Sequence, residues 1–230
     1  MKSCKLLNWL PAAFFAVACL INVTARFIGN GALAGAVKPA LLPLLAATVL
    51  AYAVSHRLDQ KALGLLIAAE LFGFAGDTLL LSSSFPLFAS GIAAFLVGHI
   101  FYLCLFGAHS WKGMGWKGWM AGVVGVLALV FVLMKVLKVQ GALLAPMAIY
   151  GCVLLTLGFC TLCGLIRCKE DRLTWLILFV GALLFAFSDS LIAAGTFGVA
   201  TFQLREFVVM LTYLLAQSLL AWGGVRLAKQ

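Results

Sequence analysis

Four ionisable side chains, Glu70, Asp77, His99 and Asp189, stand inside long apolar runs of this 230-residue chain. At the centre of a membrane helix such a group costs ~3 kcal/mol on insertion scales, and it marks a functional site by default. Tyr102, Tyr150, Ser188, Tyr213 and Gln217 are the polar residues that accompany them. Glu70 and Asp77 are seven residues apart, which returns them to nearly one helix face about two turns from each other. His99 and Tyr102 are spaced i, i+3, and Tyr213 and Gln217 i, i+4, so each pair shares a stripe. Carboxylates with a histidine and tyrosines are the equipment of proton transfer, either in acid–base catalysis or in an ion relay. The bland alternative is that each residue ties one helix to the next. Asp77 follows Gly73 and Gly76, where helices pack closely enough for such a bond. Glu70 has no obvious partner at this level, and its structural and functional readings are level.

The elements that must position these residues follow from hydropathy. The chain is 65% hydrophobic and only 10% charged, with a mean hydropathy of +1.15, whereas a soluble domain carries about 25% charged residues. A span needs ~20 apolar residues, so the length accommodates about eight, with no soluble motor, ectodomain or nucleotide-binding fold. The expected fold is an all-α polytopic membrane protein, a single transmembrane domain over 1–230. Its helices are expected at 6–25, 38–56, 62–82, 86–108, 116–134, 141–166, 173–196 and 206–227. Between them lie a glycine-rich stretch from Arg26 to Lys38, a charged segment from His56 to Lys61, and a Ser82-Ser83-Ser84-Phe85-Pro86 turn. A basic Gly-rich stretch from Lys112 to Lys117 and a five-charge loop from Arg167 to Arg172 follow, and then a loop from Thr196 to Arg205 that contains Gly198. The first run continues to about Ala25, too long for the core of a signal peptide, and reads as a span.

The sixteen Lys and Arg against seven acids sit at the ends of apolar runs, which indicates topology and headgroup contact rather than nucleic acid. With the N-terminus inside, Lys2, Lys5, Arg57, Lys61, Lys112, Lys117, Arg167, Lys169, Arg172, Arg226 and Lys229 share its side. Arg26, Lys38, Lys135, Lys138 and Arg205 lie opposite, and this imbalance puts the N- and C-termini both in the cytoplasm. Asp77 and Asp189 then fall in the outer half of the membrane, one to two turns from a helix end, and His99 and Tyr213 near mid-depth. Cys160-x-x-Cys163 with Cys168 has no second CxxC or His pair to complete a metal site. The seven cysteines form no even framework and read mainly as small buried hydrophobes. No metal and no cofactor are expected.

Four blocks together resemble the YhhN-like family, the lysoplasmalogenases, which are eight-helix membrane enzymes. They are Glu70 to Leu81 (ELFGFAGDTLLL), Phe95 to Tyr102 (FLVGHIFY), Gly181 to Ala193 (GALLFAFSDSLIA) and Tyr213 to Leu220 (YLLAQSLL). Lys38-Pro39, expected to open the second helix, fits as well. One departure is the stretch after Ser188-Asp189, which runs Ala193-Ala194-Gly195-Thr196-Phe197 where the family often has a polar or basic residue before an aromatic. It bears on headgroup preference rather than on chemistry.

The resemblance implies hydrolysis of the vinyl ether of lysoplasmalogen to a fatty aldehyde and glycerophosphoethanolamine or glycerophosphocholine. Such hydrolysis begins with protonation of the alkenyl carbon and passes through an oxocarbenium ion, as glycosidase chemistry does with its two carboxylates. Asp77 and Asp189 are the expected catalytic pair. His99, Tyr102, Tyr213, Gln217, Glu70 and Ser188 are expected to line the substrate site, with Lys38 at the outer edge meeting the phosphate. The expected partners are a lysophospholipid substrate and membrane lipids, and small residues in several helices permit a dimer without arguing for one. A compact chain favours a bacterial inner membrane over the endoplasmic reticulum. The rival from another class is a proton-coupled or lipid transporter, which the lack of internal repeats and mid-helix breaks disfavours. An intramembrane aspartyl protease lacks its motifs, because residue 74 is Phe and residue 188 is Ser.

Overall fold

The computed structural model describes residues 9–82 and 84–229. Lys2, Cys4, Lys5 and the expected start of the first span at residue 6 lie outside the described residues, as does Ser83. Among the described residues eight helices are long and apolar enough to cross a membrane. They are α1 Leu10–Phe27, α2 Gly31–Ser55, α3 Gln60–Leu79, α4 Phe85–Ser110, α5 Trp116–Val136, α6 Leu144–Arg167, α7 Arg172–Thr196 and α8 Arg205–Leu227, and no strand joins them. The chain divides into two compact units, one of residues 1–102 and 221–230, the other of residues 103–220.

In the first unit α1 and α2 form a tight helical hairpin. Gly29 turns the chain at φ +76°, a conformation that glycine adopts without steric cost. Asn30 then caps α2 by accepting from the Leu33 amide, and buried Asn22 donates to the Ala34 carbonyl at 2.8 Å. These bonds explain the one large boundary error. The glycine-rich stretch expected as a loop is already helix from Gly31, so α2 begins seven residues before position 38. Pro39 and Pro43 consequently lie inside the helix, and each removes one backbone hydrogen bond.

Helices α3 and α4 pack antiparallel on glycines. A Cβ on Gly98 would lie 3.2 Å from the Ala69 carbonyl, one on Gly76 would lie 2.6 Å from the Phe95 ring, and one on Gly91 would lie 3.3 Å from the Gly76 carbonyl. Close approach of this kind is how helices associate where lipid removes the hydrophobic drive between them. Asp59 starts α3 by accepting from the Ala62 amide at 2.8 Å.

The second unit follows the same rule. Gly122 admits the Phe159 ring between α5 and α6, and Gly164 admits Trp175 between α6 and α7. A cluster of Val126, Val130, Met134, Leu137, Val139, Ala193 and Ala194 fills the space among α5, its C-terminal turn and the end of α7. The outer face of α5 exposes Val123, Val124, Leu127, Leu129, Phe131, Val132 and Val136. In lipid such residues are favourable by about 0.3–0.6 kcal/mol each. A 3₁₀ turn at Gly141–Leu143 occupies the expected first residues of the sixth span, and α6 proper starts at Leu144. Cys160 meets the Ser110 hydroxyl at 3.1 Å and Cys163 the Met114 sulfur at 4.0 Å.

Candidate functional site

Two groups of polar side chains lie inside the helices, one in each unit. In the first, the Lys38 ammonium stands 3.1 Å from Asp77 Oδ1. The reason is the early start of α2. Lys38 lies about two turns inside α2 rather than opening it, beside the last turns of α3. Asp77 is buried and the Lys38 side chain retains 12% exposure.

Further along α3, Glu70 is fully buried, and its Oε1 accepts from the Tyr102 hydroxyl at 2.8 Å. Glu70 therefore has the partner that its spacing did not reveal, because the bond crosses thirty-two residues of sequence. Its other oxygen, Oε2, makes no hydrogen bond among the described residues. His99, also buried, sits one turn before Tyr102 on α4, with Nδ1 2.7 Å from the Phe95 carbonyl. The i, i+3 stripe expected for His99 and Tyr102 thus carries two different bonds, one to backbone and one to a carboxyl.

In the second unit, the Tyr150 hydroxyl of α6 donates a hydrogen bond to Asp189 Oδ2 on α7. Tyr150 ranked only as a polar companion in the sequence. Its contact is between helices, with no sequence spacing to signal it. Ser188, next to Asp189, is buried and donates to the Val209 carbonyl of α8 at 3.0 Å. That bond ties α7 to α8 and accounts for Ser188 structurally. Tyr213 packs edge-on against Phe185 at 5.5 Å between ring centroids, and the Gln217 amide donates to its hydroxyl at 3.3 Å. The i, i+4 pairing expected for Tyr213 and Gln217 is present.

Most other hydroxyls in the spans bond to their own helix. Thr78, Thr161, Ser190 and Ser218 donate to carbonyls four residues back, which satisfies them without a neighbour. Asp77, Glu70 and Asp189 differ in that each carboxyl is held by a side chain from another helix. No cluster of three or more His, Cys, Asp or Glu poised for a metal occurs among the described residues.

Eight apolar helices with carboxyl side chains held inside them define a multi-pass membrane protein built around embedded acid groups. Within that class the chain belongs to the YhhN family, whose model matches residues 33–224, a stretch that includes every one of the polar groups above. The family includes lysoplasmalogenases. No protein of curated function matches the chain, and no solved structure does.

Proposed function

We propose that this protein is a lysoplasmalogenase-like hydrolase that cleaves the vinyl ether of a lysoplasmalogen, with Asp77 and Asp189 as its two catalytic carboxylates. The observation that carries the reading is that, in a YhhN-family chain, each aspartate is held inside a span by a partner of different character. A lysine ammonium faces Asp77 and a tyrosine hydroxyl faces Asp189. Two carboxyl groups in unlike environments are the requirement for dividing acid and base roles.

The roles divide accordingly. Asp189 gives a proton to the β-carbon of the alkenyl chain. The C=C electron pair forms the new C–H bond, and the positive charge rests on the carbon bonded to the ether oxygen. Asp77, with Lys38 as its counter-ion, is the carboxylate that stabilises this oxocarbenium ion and takes a proton from the attacking water. The resulting hemiacetal gives its hydroxyl proton to Asp189 as its C–O bond to glycerol breaks, and the leaving glycerol oxygen takes the proton held by Asp77, so the aldehyde and the glycerol hydroxyl are released with both carboxyls reset. Glu70, Tyr102, His99, Tyr213 and Gln217 line the substrate path in this reading, while Lys38 serves Asp77 rather than the phosphate. A bacterial inner membrane is the proposed location.

The test is aldehyde release from lysoplasmenylethanolamine and lysoplasmenylcholine by purified protein in the presence of EDTA. Asp77→Asn and Asp189→Asn are each expected to lower turnover by about 10²–10⁴, the range for loss of a general acid or base, Asp189→Asn while eluting as wild type on gel filtration and Asp77→Asn with a lower melting temperature as well, because it leaves Lys38 without its counter-ion. Full activity in either variant removes that residue from the mechanism. A wild type without turnover rejects the hydrolase reading and leaves proton-coupled or lipid transport, for which the same acids serve as relay sites.

A further inference from the structure

A cavity of about 450 Å³ opens between the C-terminal end of α7 and the start of α8, lined by Gly195, Thr201, Phe202, Gln203, Arg205 and Glu206. It lies wholly in the second unit, on the two helices that also carry Asp189 and Tyr213. Inside it a guanidinium and a carboxylate stand side by side, with Arg205 Nη2 2.7 Å from Glu206 Oε1. Gly195 makes that arrangement possible. A Cβ at this position would coincide with the Arg205 guanidinium, so the guanidinium occupies the space that a side chain at 195 would take and would have to swing aside for one.

We infer that this cavity is the headgroup subsite for a zwitterionic phosphoamine lipid, with Arg205 taking the phosphate and Glu206 the ammonium. The inference rests on the hydrolase reading for its substrate, and three observations support it. First, the cavity offers one charge of each sign, the complement of a phosphate joined to an amine. An anionic headgroup would meet Glu206 unfavourably, and a neutral one would leave both charges unused. Second, the Arg205 and Glu206 side chains are 25% and 51% exposed, and ion pairs this exposed contribute little. A headgroup can therefore part them and replace the pair with two charge-assisted contacts, the guanidinium fork matching phosphate geometry.

The third observation is distance. Asp189 and Gly195 are six residues apart on α7, ~9 Å at 1.5 Å per residue. In the substrate seven bonds separate the carbon that receives the proton from the phosphorus, ~9 Å when extended at about 1.27 Å per bond, the spacing of a peptide backbone. A lipid with its phosphate on Arg205 and its chain along α7 thus brings the vinyl ether level with Asp189. The size agrees as well, since ligand pockets typically hold about 300–1,000 Å³. The assignment also gives the Gly195-Thr196-Phe197 departure a purpose. The stretch lacks a basic residue of its own, and the charge arrives from Arg205 across the gap that Gly195 leaves.

The experiment measures binding of the uncleavable 1-O-alkyl-glycerophosphoethanolamine against 1-O-alkylglycerol, which has the same chain and no headgroup, to purified full-length protein in detergent. Wild type is expected to prefer the phospholipid. Arg205→Gln and Gly195→Ala are each expected to reduce that preference by about tenfold or more, the equivalent of one lost charge-assisted contact. Glu206→Gln is expected to lower affinity for the ethanolamine lipid and to raise it for 1-O-alkyl-glycerophosphate, which carries no amine. That reversal is one a merely destabilised protein would not give. Equal preference in wild type and Arg205→Gln overturns the subsite. Because the probe is not cleaved, the two readings fail separately. Selective binding without vinyl ether turnover rejects the hydrolase and keeps the subsite, and turnover with unselective binding does the opposite.

Discussion

At the scale of single residues, the pairing of Lys38 with Asp77 carries the largest energetic consequence. Both side chains are largely withdrawn from solvent, and removing one partner of such a pair costs ~3–5 kcal/mol because the other charge loses its compensation. Replacing both partners by apolar residues of similar size is often neutral. Lys38→Met should therefore lower the melting temperature of the detergent-solubilised protein markedly. The double variant Lys38→Met with Asp77→Leu should recover most of that loss while remaining inactive. A Lys38→Met protein that melts like wild type would mean that Asp77 does not depend on this ammonium. Activity and stability are read separately here, which matters for a residue that serves both.

At the scale of elements, helix contacts in this protein are made by small residues that admit large ones. Gly164 of α6 faces Trp175 of α7, a ring only 1% exposed and with no room to withdraw. A Cβ at position 164 would overlap the indole, so Gly164→Ala should destabilise the second unit by about 1–3 kcal/mol, the usual cost of overpacking. Thermal unfolding in detergent checks this, with Gly125→Ala as the control, since a Cβ at Gly125 meets nothing within 4 Å. Equal melting of the two variants would show that the α6–α7 contact is soft. The same packing logic governs α2, where Asn22 and Asn30 secure a helical start that the run of glycines and alanines conceals.

At the scale of the whole molecule, we propose from the distribution of Lys and Arg that the two ends of the chain share the cytoplasmic side. Reporter fusions at each terminus should both be active for a cytoplasmic reporter such as green fluorescent protein and inactive for alkaline phosphatase. Opposite results at the two ends would remove a span from the fold. Opposite results at both ends together would invert the membrane and carry Asp77, Asp189 and the Arg205 cavity to the inner half.

The membrane class, the number of spans and most helix ends were legible in the sequence, because each depends on local hydropathy and on punctuation by charge, glycine and proline. Glu70, Asp77, His99 and Asp189 were legible for the same reason, since an ionisable group inside an apolar run is conspicuous without any structure. What each one touches was not. The start of α2 was hidden because an asparagine cap and an interhelical hydrogen bond, rather than hydropathy, decide it, and the place of Lys38 moved with it. Tyr102 on Glu70 and Tyr150 on Asp189 join residues more than thirty positions apart, and no periodicity within one helix encodes a bond to another. The guanidinium laid on Gly195 is of the same kind. One-dimensional patterns state which side chains are costly to bury, and only the packing of one helix on the next decides what compensates each of them.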